Sequence, residues 1–257
     1  MKAVSRLAIA PVKGMALLHP REIRLERFGV AENRRFHLVD ADGRRYGQLR
    51  DGALARIVPD YDAEAERLTL RFPDGRVVGG DIVLGDAIVT DFYGRSVPGR
   101  LVEGPWSERV SQFVGRPVRL VRPDAPGTAV DRDLGPVTML SAASVAELAR
   151  RAGRDSVDDR RFRMLIAVAG CHAHEEDTWL GRRVAVGEAV VRLHEQVARC
   201  AITTQSPDTG IRDFDSLREI KRYRGTRDGD RKNIDFGVFG EVEQPGRVRV
   251  GDAVVPE

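Results

Sequence analysis

The sequence predicts a β-rich α+β fold in two parts, divided near residue 120. Three observations carry this. At 257 residues the chain can bury a sizeable core and forms one large or two small domains, of which two is the expectation. Short apolar runs recur at close spacing in the first half, separated by turn residues, as in a small barrel or sandwich. Helical spacing is confined to isolated stretches between such runs.

In chain order, residues 4–11 read as a strand that opens into a turn at Val12-Lys13-Gly14. Residues 36–40 form a strand, Ala41-Asp42-Gly43 a hairpin-type turn and residues 45–49 the returning strand. Residues 68–72, followed by Pro73-Asp74-Gly75, repeat the theme, and the runs 82–84 and 87–89 flank a turn at Gly85-Asp86. Residues 106–113 have helical spacing, with Val110, Phe113 and Val114 on one face, and residues 117–121 return to strand. The division follows that strand, giving domains of 1–120 and 121–257.

In the second half residues 137–140 are a strand, and Ser141 caps a helix whose inner face carries Val145, Leu148 and Ala149. Residues 164–169 form a buried strand, and Trp179 with the run to Val186 is packing. Two short apolar runs surround Gly187-Glu188, residues 217–223 are helical, and residues 224–233 form a charged loop. Residues 236–242 are a further strand.

Composition removes several function classes. The 42 basic and 39 acidic residues nearly balance, leaving a net charge of +3, which is no general nucleic-acid footprint. No run of about 18 apolar residues exists and residues 1–15 lack the apolar stretch of a signal peptide, so the expectation is a cytoplasmic protein with no membrane contact. Two cysteines, Cys171 and Cys200, argue against a disulfide framework.

The most informative stretch is Arg199-Cys200-Ala201-Ile202-Thr203-Thr204-Gln205-Ser206-Pro207-Asp208-Thr209-Gly210. It sets one thiol beside a fixed positive charge, just past a strand, and follows it with turn-forming residues. An adjacent guanidinium favours thiolate, the better nucleophile and the better soft-metal ligand. An inert core cysteine is the plain alternative, since free cysteines are among the most buried residue types. Arg199 equally stands open to pointing at solvent from the far side of its strand. Lys13 and Arg34 read either as solvated charges or as an anion grip. Cys171-His172-Ala173-His174-Glu175-Glu176 crowds potential zinc ligands within six residues but lacks a second ligand pair to close a shell.

Arg-Cys-x-x-Thr-Thr-x-x-Pro-Asp-Thr-Gly resembles the signature of the MOSC (molybdenum-cofactor sulfurase C-terminal) domain. In domain order the chain is similar to the amidoxime-reducing members of that family. The resemblance implies a small N-terminal β-barrel-like domain packed on a MOSC β-barrel with peripheral helices. It implies Cys200 as the catalytic thiolate ligand to the molybdenum of a molybdenum cofactor. Lys13 and Gly14 lie in Pro-Val-Lys-Gly, Arg34 follows Asn33 where relatives carry an acid, and Arg163 ends Arg161-Phe162-Arg163. In the family these basic residues reach the cofactor phosphate. Asp133 and Gly135 fall in the turn that lies against the pterin, Arg199 compensates charge, and Phe239 borders the cofactor. Met164-Leu165 stands where relatives show Pro-Asn, Glu176-Asp177-Thr178-Trp179 fits the family's Glu-Asp-x-Trp, and residues 245–254 resemble its closing hairpin.

The implied activity is reduction of N-hydroxylated or N-oxygenated small molecules. Two cysteines cannot supply the four ligands of an iron–sulfur cluster, so electrons are expected from a separate protein. A sulfur carrier using a Cys200 persulfide and a non-enzymatic pterin- or anion-binding module remain as alternatives.

Overall fold

The computed structural model describes residues 1–126, 135–229 and 233–257, and its β-rich α+β architecture is the one the sequence predicts. Two strands open the chain, β1 (Ala3–Leu7) and β2 (Glu22–Leu25). β3 (His37–Asp40) and β4 (Arg45–Tyr46) form the expected hairpin, with Gly43 at φ +76° and Asp40 Oδ1 accepting from the Asp42 and Arg44 N–H groups at 3.1 and 2.9 Å. β4 stops at Tyr46 rather than Leu49, because the Gly47 carbonyl accepts from the Arg50 and Asp51 N–H groups and turns the chain.

β5 (Val58–Asp62), β6 (Arg67–Arg71) and β7 (Val77–Asp81) make a three-stranded antiparallel sheet. The pattern foretells β6 alone, since Pro59 in β5 and Gly79-Gly80 in β7 are residues that strands avoid. β8 (Val83–Phe92) and β9 (Arg95–Glu103) form one long hairpin. Gly85-Asp86 is therefore a bulge, where the register shifts between Leu84 and Ala87, and the turn lies at Tyr93-Gly94.

Pro105 opens α1 (Pro105–Val114), whose Trp106 is buried and donates its indole N–H to the Leu68 carbonyl at 3.2 Å. β10 (Val118–Pro123) completes a five-stranded sheet in the order β4-β3-β10-β9-β8. It runs three residues past position 120.

The second half contributes β11 (Val137–Ser141), α2 (Ala142–Arg151), β12 (Ile166–Ala169), β13 (Arg183–Val186), β14 (Ala189–Ala198), α3 (Ser216–Arg224), β15 (Asp235–Gln244), β16 (Gly246–Arg249) and β17 (Val254–Pro256). Ser141 caps α2 by accepting from the Ser144 N–H at 3.0 Å. A seven-stranded sheet runs β1-β12-β11-β15-β14-β13-β17, and a bridge between Ala3 and Ala253 brings its two edges nearly to closure. The barrel is thus finished by the first strand of the chain, which pairs with β12. Residues 245–254 do not fold back as a hairpin: β16 pairs with β2 and β17 with β13.

Three large apolar clusters follow from this topology among the described residues, beside a small one of Phe92 and Val97. One fills the barrel and includes Leu7, Ile23 and Leu25 from the first 25 residues, a second fills the N-terminal sheets, and a third lies beneath α2 and α3. Among the described residues no helix is long and apolar enough to cross a membrane.

Candidate cofactor site

A cavity of about 1360 Å³ lies where the two halves meet, lined from the first half by Lys13, Gly14 and Arg34 and from the second by Gly135, Arg163, Arg199 and Cys200. These residues lie far apart in sequence, and each is brought there by a specific backbone device. Lys13 follows a parallel bridge from Val12 to Phe36 and donates its N–H to the Phe36 carbonyl at 2.8 Å. Gly14 turns the chain at φ +87°, and a Cβ there would sit 3.0 Å from the Gln48 nitrogen. The close approach of Gln48 is what requires glycine.

Arg34 and Arg163 are both non-glycine residues in the left-handed region, at φ 54° and 52°. Each such residue costs of order 1 kcal/mol or more, and sites that hold several are candidates for function. Asn33 is buried, and its Oδ1 accepts from the Ala10 N–H and from Arg34 Nη1, both at 3.0 Å. The amide oxygen thus orients the guanidinium as an acid would. Arg34 Nη2 donates to the Arg163 carbonyl at 3.1 Å, and Arg163 Nη2 reaches back to the Met15 carbonyl at 2.7 Å. Arg163 Nη1 lies 3.4 Å from Gln48 Oε1. Each arginine therefore crosses into the other half.

The electrostatics of this cluster are unbalanced. Arg163 is held by neutral oxygens and makes no ion pair among the described residues; burial brings its guanidinium down to about 10. Burial, then repulsion from Arg34 and Arg163, push the Lys13 ammonium well below the usual lysine range. Negative charge at Cys200 acts in the opposite sense on both Lys13 and Arg163. Three basic side chains line one cavity, an arrangement suited to holding an anion.

Cys200 is exposed, so the reading of an inert core cysteine does not hold. It precedes a 3₁₀ turn, Ala201–Thr204, and its carbonyl accepts from the Thr203 N–H at 3.1 Å and the Thr203 hydroxyl at 3.0 Å. Arg199 directs its guanidinium at the Phe162 carbonyl and, at 3.2 Å, the Met164 sulfur, and lies over the Phe162 ring. Met164 lines the cavity, whereas Leu165 enters the barrel core. Gly135, at φ +76°, lines the cavity with Phe239 packed beneath it, where a Cβ would overlap the ring at 2.3 Å. Phe239 supports the wall rather than forming it. Asp133 lies outside the described residues.

The Cys171–Glu176 stretch is scattered. Burial pushes the Cys171 thiol up to about 11, His174 Nε2 meets the Tyr223 hydroxyl at 3.3 Å, and Glu176 is buried as acceptor from the Ser144 hydroxyl at 2.6 Å. No metal-binding group of three or more such residues gathers among the described residues.

Residues 1–101 match the MOSC N-terminal beta barrel domain and residues 128–255 match the MOSC domain. The chain belongs to the MOSC family. It is 38% identical over 128 residues to mitochondrial amidoxime reducing component 2 of Bos taurus, covering 48% of this chain and 37% of that protein. Identity to component 1 of Homo sapiens is 29% over 184 residues, covering 63% and 54%. For component 1 of Danio rerio it is 25% over 284 residues, covering 91% and 86%. The chain thus spans about a third to a half of the length of the first two relatives. Among solved structures, the YUAD protein from Bacillus subtilis aligns over 99% of this chain and 94% of its own, at 11% identity and a TM-score of 0.45.

Within this MOSC chain, one residue that sequence reasoning passed over holds the thiol loop. Arg161 is buried, and its Nη1 donates to the carbonyls of Thr203 and Gln205 at 3.0 and 3.3 Å and to Asp213 Oδ1 at 3.2 Å. Its signal was the Arg-Phe-Arg spacing, which sends the two arginines to different tasks. Gln205 Nε2 then donates to the Gln48 carbonyl at 3.2 Å, tying the loop to the first half.

Proposed function

We propose that this MOSC protein binds a molybdenum cofactor in the cleft and reduces N-hydroxylated or related N-oxygenated compounds. The observation that carries the reading is an exposed thiol in the same cavity as a clamp of three cations, one of them with no counter-ion among the described residues. The donor set fits such a group. A thiolate is a soft ligand, the fork of Arg34 and Arg163 suits a phosphate, and Gly14 and Gly135 keep the walls close. When bound, the cofactor supplies the redox chemistry.

The chain's own residues bind and orient. Cys200 gives up its proton to serve as metal ligand, and proton release therefore accompanies loading. Asn33, Met15 and Gln48 fix the two guanidinium planes before the anion arrives, so little ordering remains to oppose binding. The reaction breaks one N–O bond, consumes two electrons and two protons, and releases water. Electron delivery by a separate protein is part of this reading, since the two cysteines of these 257 residues cannot themselves hold a four-thiolate cluster. The same reading keeps the protein in the cytoplasm, where both free thiols stay reduced.

Turnover tests this directly. Loaded protein, reduced by an artificial one-electron donor, is expected to convert an amidoxime to the amidine, and Cys200→Ser to be inactive. Equal rates in both proteins would overturn the role of the thiol.

The clamp also has a pH signature. In the free protein the Lys13 ammonium is disfavoured, and a bound anion favours it, so binding takes up a proton at pH values between the two states' pKa values. Affinity for sulfate, which does not titrate near neutrality, should fall as pH rises through that window, by up to about tenfold per unit. Lys13→Met should flatten the slope. Calorimetry in buffers of different ionisation enthalpy reads the proton directly, and a slope unchanged in Lys13→Met would contradict the assignment.

A further inference from the structure

Helices α2 and α3 lie side by side above the third apolar cluster, and Arg222 of α3 donates to the Arg151 carbonyl at the end of α2. Together the two helices hold six basic and two acidic residues, a net +4, whereas the whole chain carries +3, which leaves −1 for all other residues. Arg150, Arg151, Arg218, Lys221 and Arg222 are exposed. Glu147 pairs with Arg150 and Arg151, Glu219 with Arg222, and Asp177 with Arg224, but Arg218 and Lys221 make no ion pair among the described residues. Solubility alone asks for both signs interspersed over a surface, and here one sign is concentrated. None of the exposed large apolar residues lies on either helix.

This face is separated from the cofactor cavity by one layer of side chains. Val145 and Leu148 of α2 and Ile220 of α3 pack in one cluster with Phe162 and Met164, and both of the latter line the cavity that holds Cys200. Such a layer is roughly 10 Å thick, short enough for an electron to cross without an intermediate carrier. A hydrogen-bonded route runs beside it. The hydroxyl of Ser216, the first residue of α3, donates to Thr203 Oγ1 at 2.8 Å, and the Thr203 hydroxyl donates to the Cys200 carbonyl at 3.0 Å. Ser216 and Thr203 are both buried, so water does not interrupt the route.

We propose that the α2–α3 face is the docking surface for the electron donor, a small carrier protein with acidic residues around its redox centre, an inference that rests on the reductase reading above. Charge complementarity selects the partner: a basic patch steers an acidic protein to it and raises the rate of encounter. The lack of exposed large apolar side chains on the helices suits a brief, charge-held encounter of the kind electron carriers make, and not a permanent interface or the insertion of an apolar face into a membrane. The carrier is oxidised by one electron at each encounter, and no bond forms between the proteins. Two encounters deliver the two electrons that, with two protons, break the N–O bond and release water.

The test titrates the whole chain with two acidic carriers, a flavodoxin and a plant-type ferredoxin, and with basic cytochrome c as the control of opposite charge. At least one acidic carrier is expected to bind at about 0.01 M salt and to weaken about tenfold or more at about 0.15 M, as the Debye length falls from roughly 30 to 8 Å; cytochrome c should not bind. Arg218→Glu combined with Lys221→Glu should weaken binding about tenfold or more, whereas Arg71→Glu with Arg76→Glu, beside the β6–β7 turn, should leave it unchanged. Arg218→Gln with Lys221→Gln serves if the reversed pair fails to fold. In loaded protein the helix variant should raise the KM for the reduced carrier and keep turnover by the artificial donor intact. Absence of binding by both acidic carriers, equal losses in the helix and β6–β7 variants, or a preference of the face for single-stranded RNA over both carriers would overturn the docking surface alone. Loaded wild-type protein that fails to turn over with the artificial donor would overturn the reductase reading, and the role of the face with it.

Discussion

Replacing Arg163 with Met is expected to weaken sulfate and cofactor binding about ten- to hundredfold, the loss of one charge-assisted contact of roughly 1.5–3 kcal/mol. The same change should leave the anion-free protein as stable as before. Arg163 keeps a half-buried charge against neutral oxygens, at a left-handed backbone position, with its guanidinium brought down to about 10 by burial. Removing that charge relieves desolvation while the Met15 carbonyl loses its donor, and these two effects oppose each other. Function and stability should therefore separate, as they do where a site holds a group the fold alone would not choose. Thermal unfolding with and without sulfate reads both quantities. A large drop in the anion-free melting temperature with ligand binding unchanged would make Arg163 a structural residue and refute the clamp.

Gly210→Ala should be among the most disruptive single-methyl changes in the chain, costing about 2–5 kcal/mol from left-handed strain and overpacking together. Gly210 has φ +71°, and a Cβ there would lie 1.8 Å from the carbonyl oxygen of Gly52, a backbone atom that no rotamer change can move aside. This contact presses the loop after Cys200 onto the first half, beside the Gln205–Gln48 hydrogen bond. For a chain of this size the loss corresponds to a melting temperature lower by roughly 5–20 °C. Gly75 is the control, because it shares a positive φ of +84° but has nothing within 4 Å of a built Cβ. Equal destabilisation of Gly210→Ala and Gly75→Ala would show that the contact is relaxed in solution.

Sequence patterning made visible those elements whose own residues determine them. The Asp42-Gly43 turn, the Ser141 cap and the alternation of β6 are local, and all appear in the structure. What escaped depends on partners far away in the chain. β2 alternates, Glu22-Ile23-Arg24-Leu25, but over only four residues, and it is held because β16 pairs with it across more than 200 residues; β9 is read as a strand once β8 lies beside it. Gly85-Asp86 looks like a turn locally and becomes a bulge because a long hairpin can absorb an extra residue.

The site divided along the same line. The thiol stretch, Lys13, Arg34 and Arg163 were conspicuous through their resemblance to the family pattern, and the cavity collects the three basic residues with Arg199, Cys200, Ile202 and Thr203 of that stretch. The direction of Arg199 toward the Phe162 turn, the retreat of Phe239 beneath Gly135 and the grip of Arg161 on Thr203 are set by side-chain packing that spacing does not encode.

The central claim is that Cys200 ligates molybdenum in the cleft. Metal analysis of protein purified from a cofactor-producing host tests it most directly, with wild type beside Cys200→Ser and Arg34→Ala. About one molybdenum per chain is expected in the wild type, with the metal lost in Cys200→Ser and occupancy reduced, through weaker phosphate binding, in Arg34→Ala. Metal-free wild-type protein carrying labile sulfane sulfur on Cys200 would contradict the account and make the protein a sulfur carrier instead.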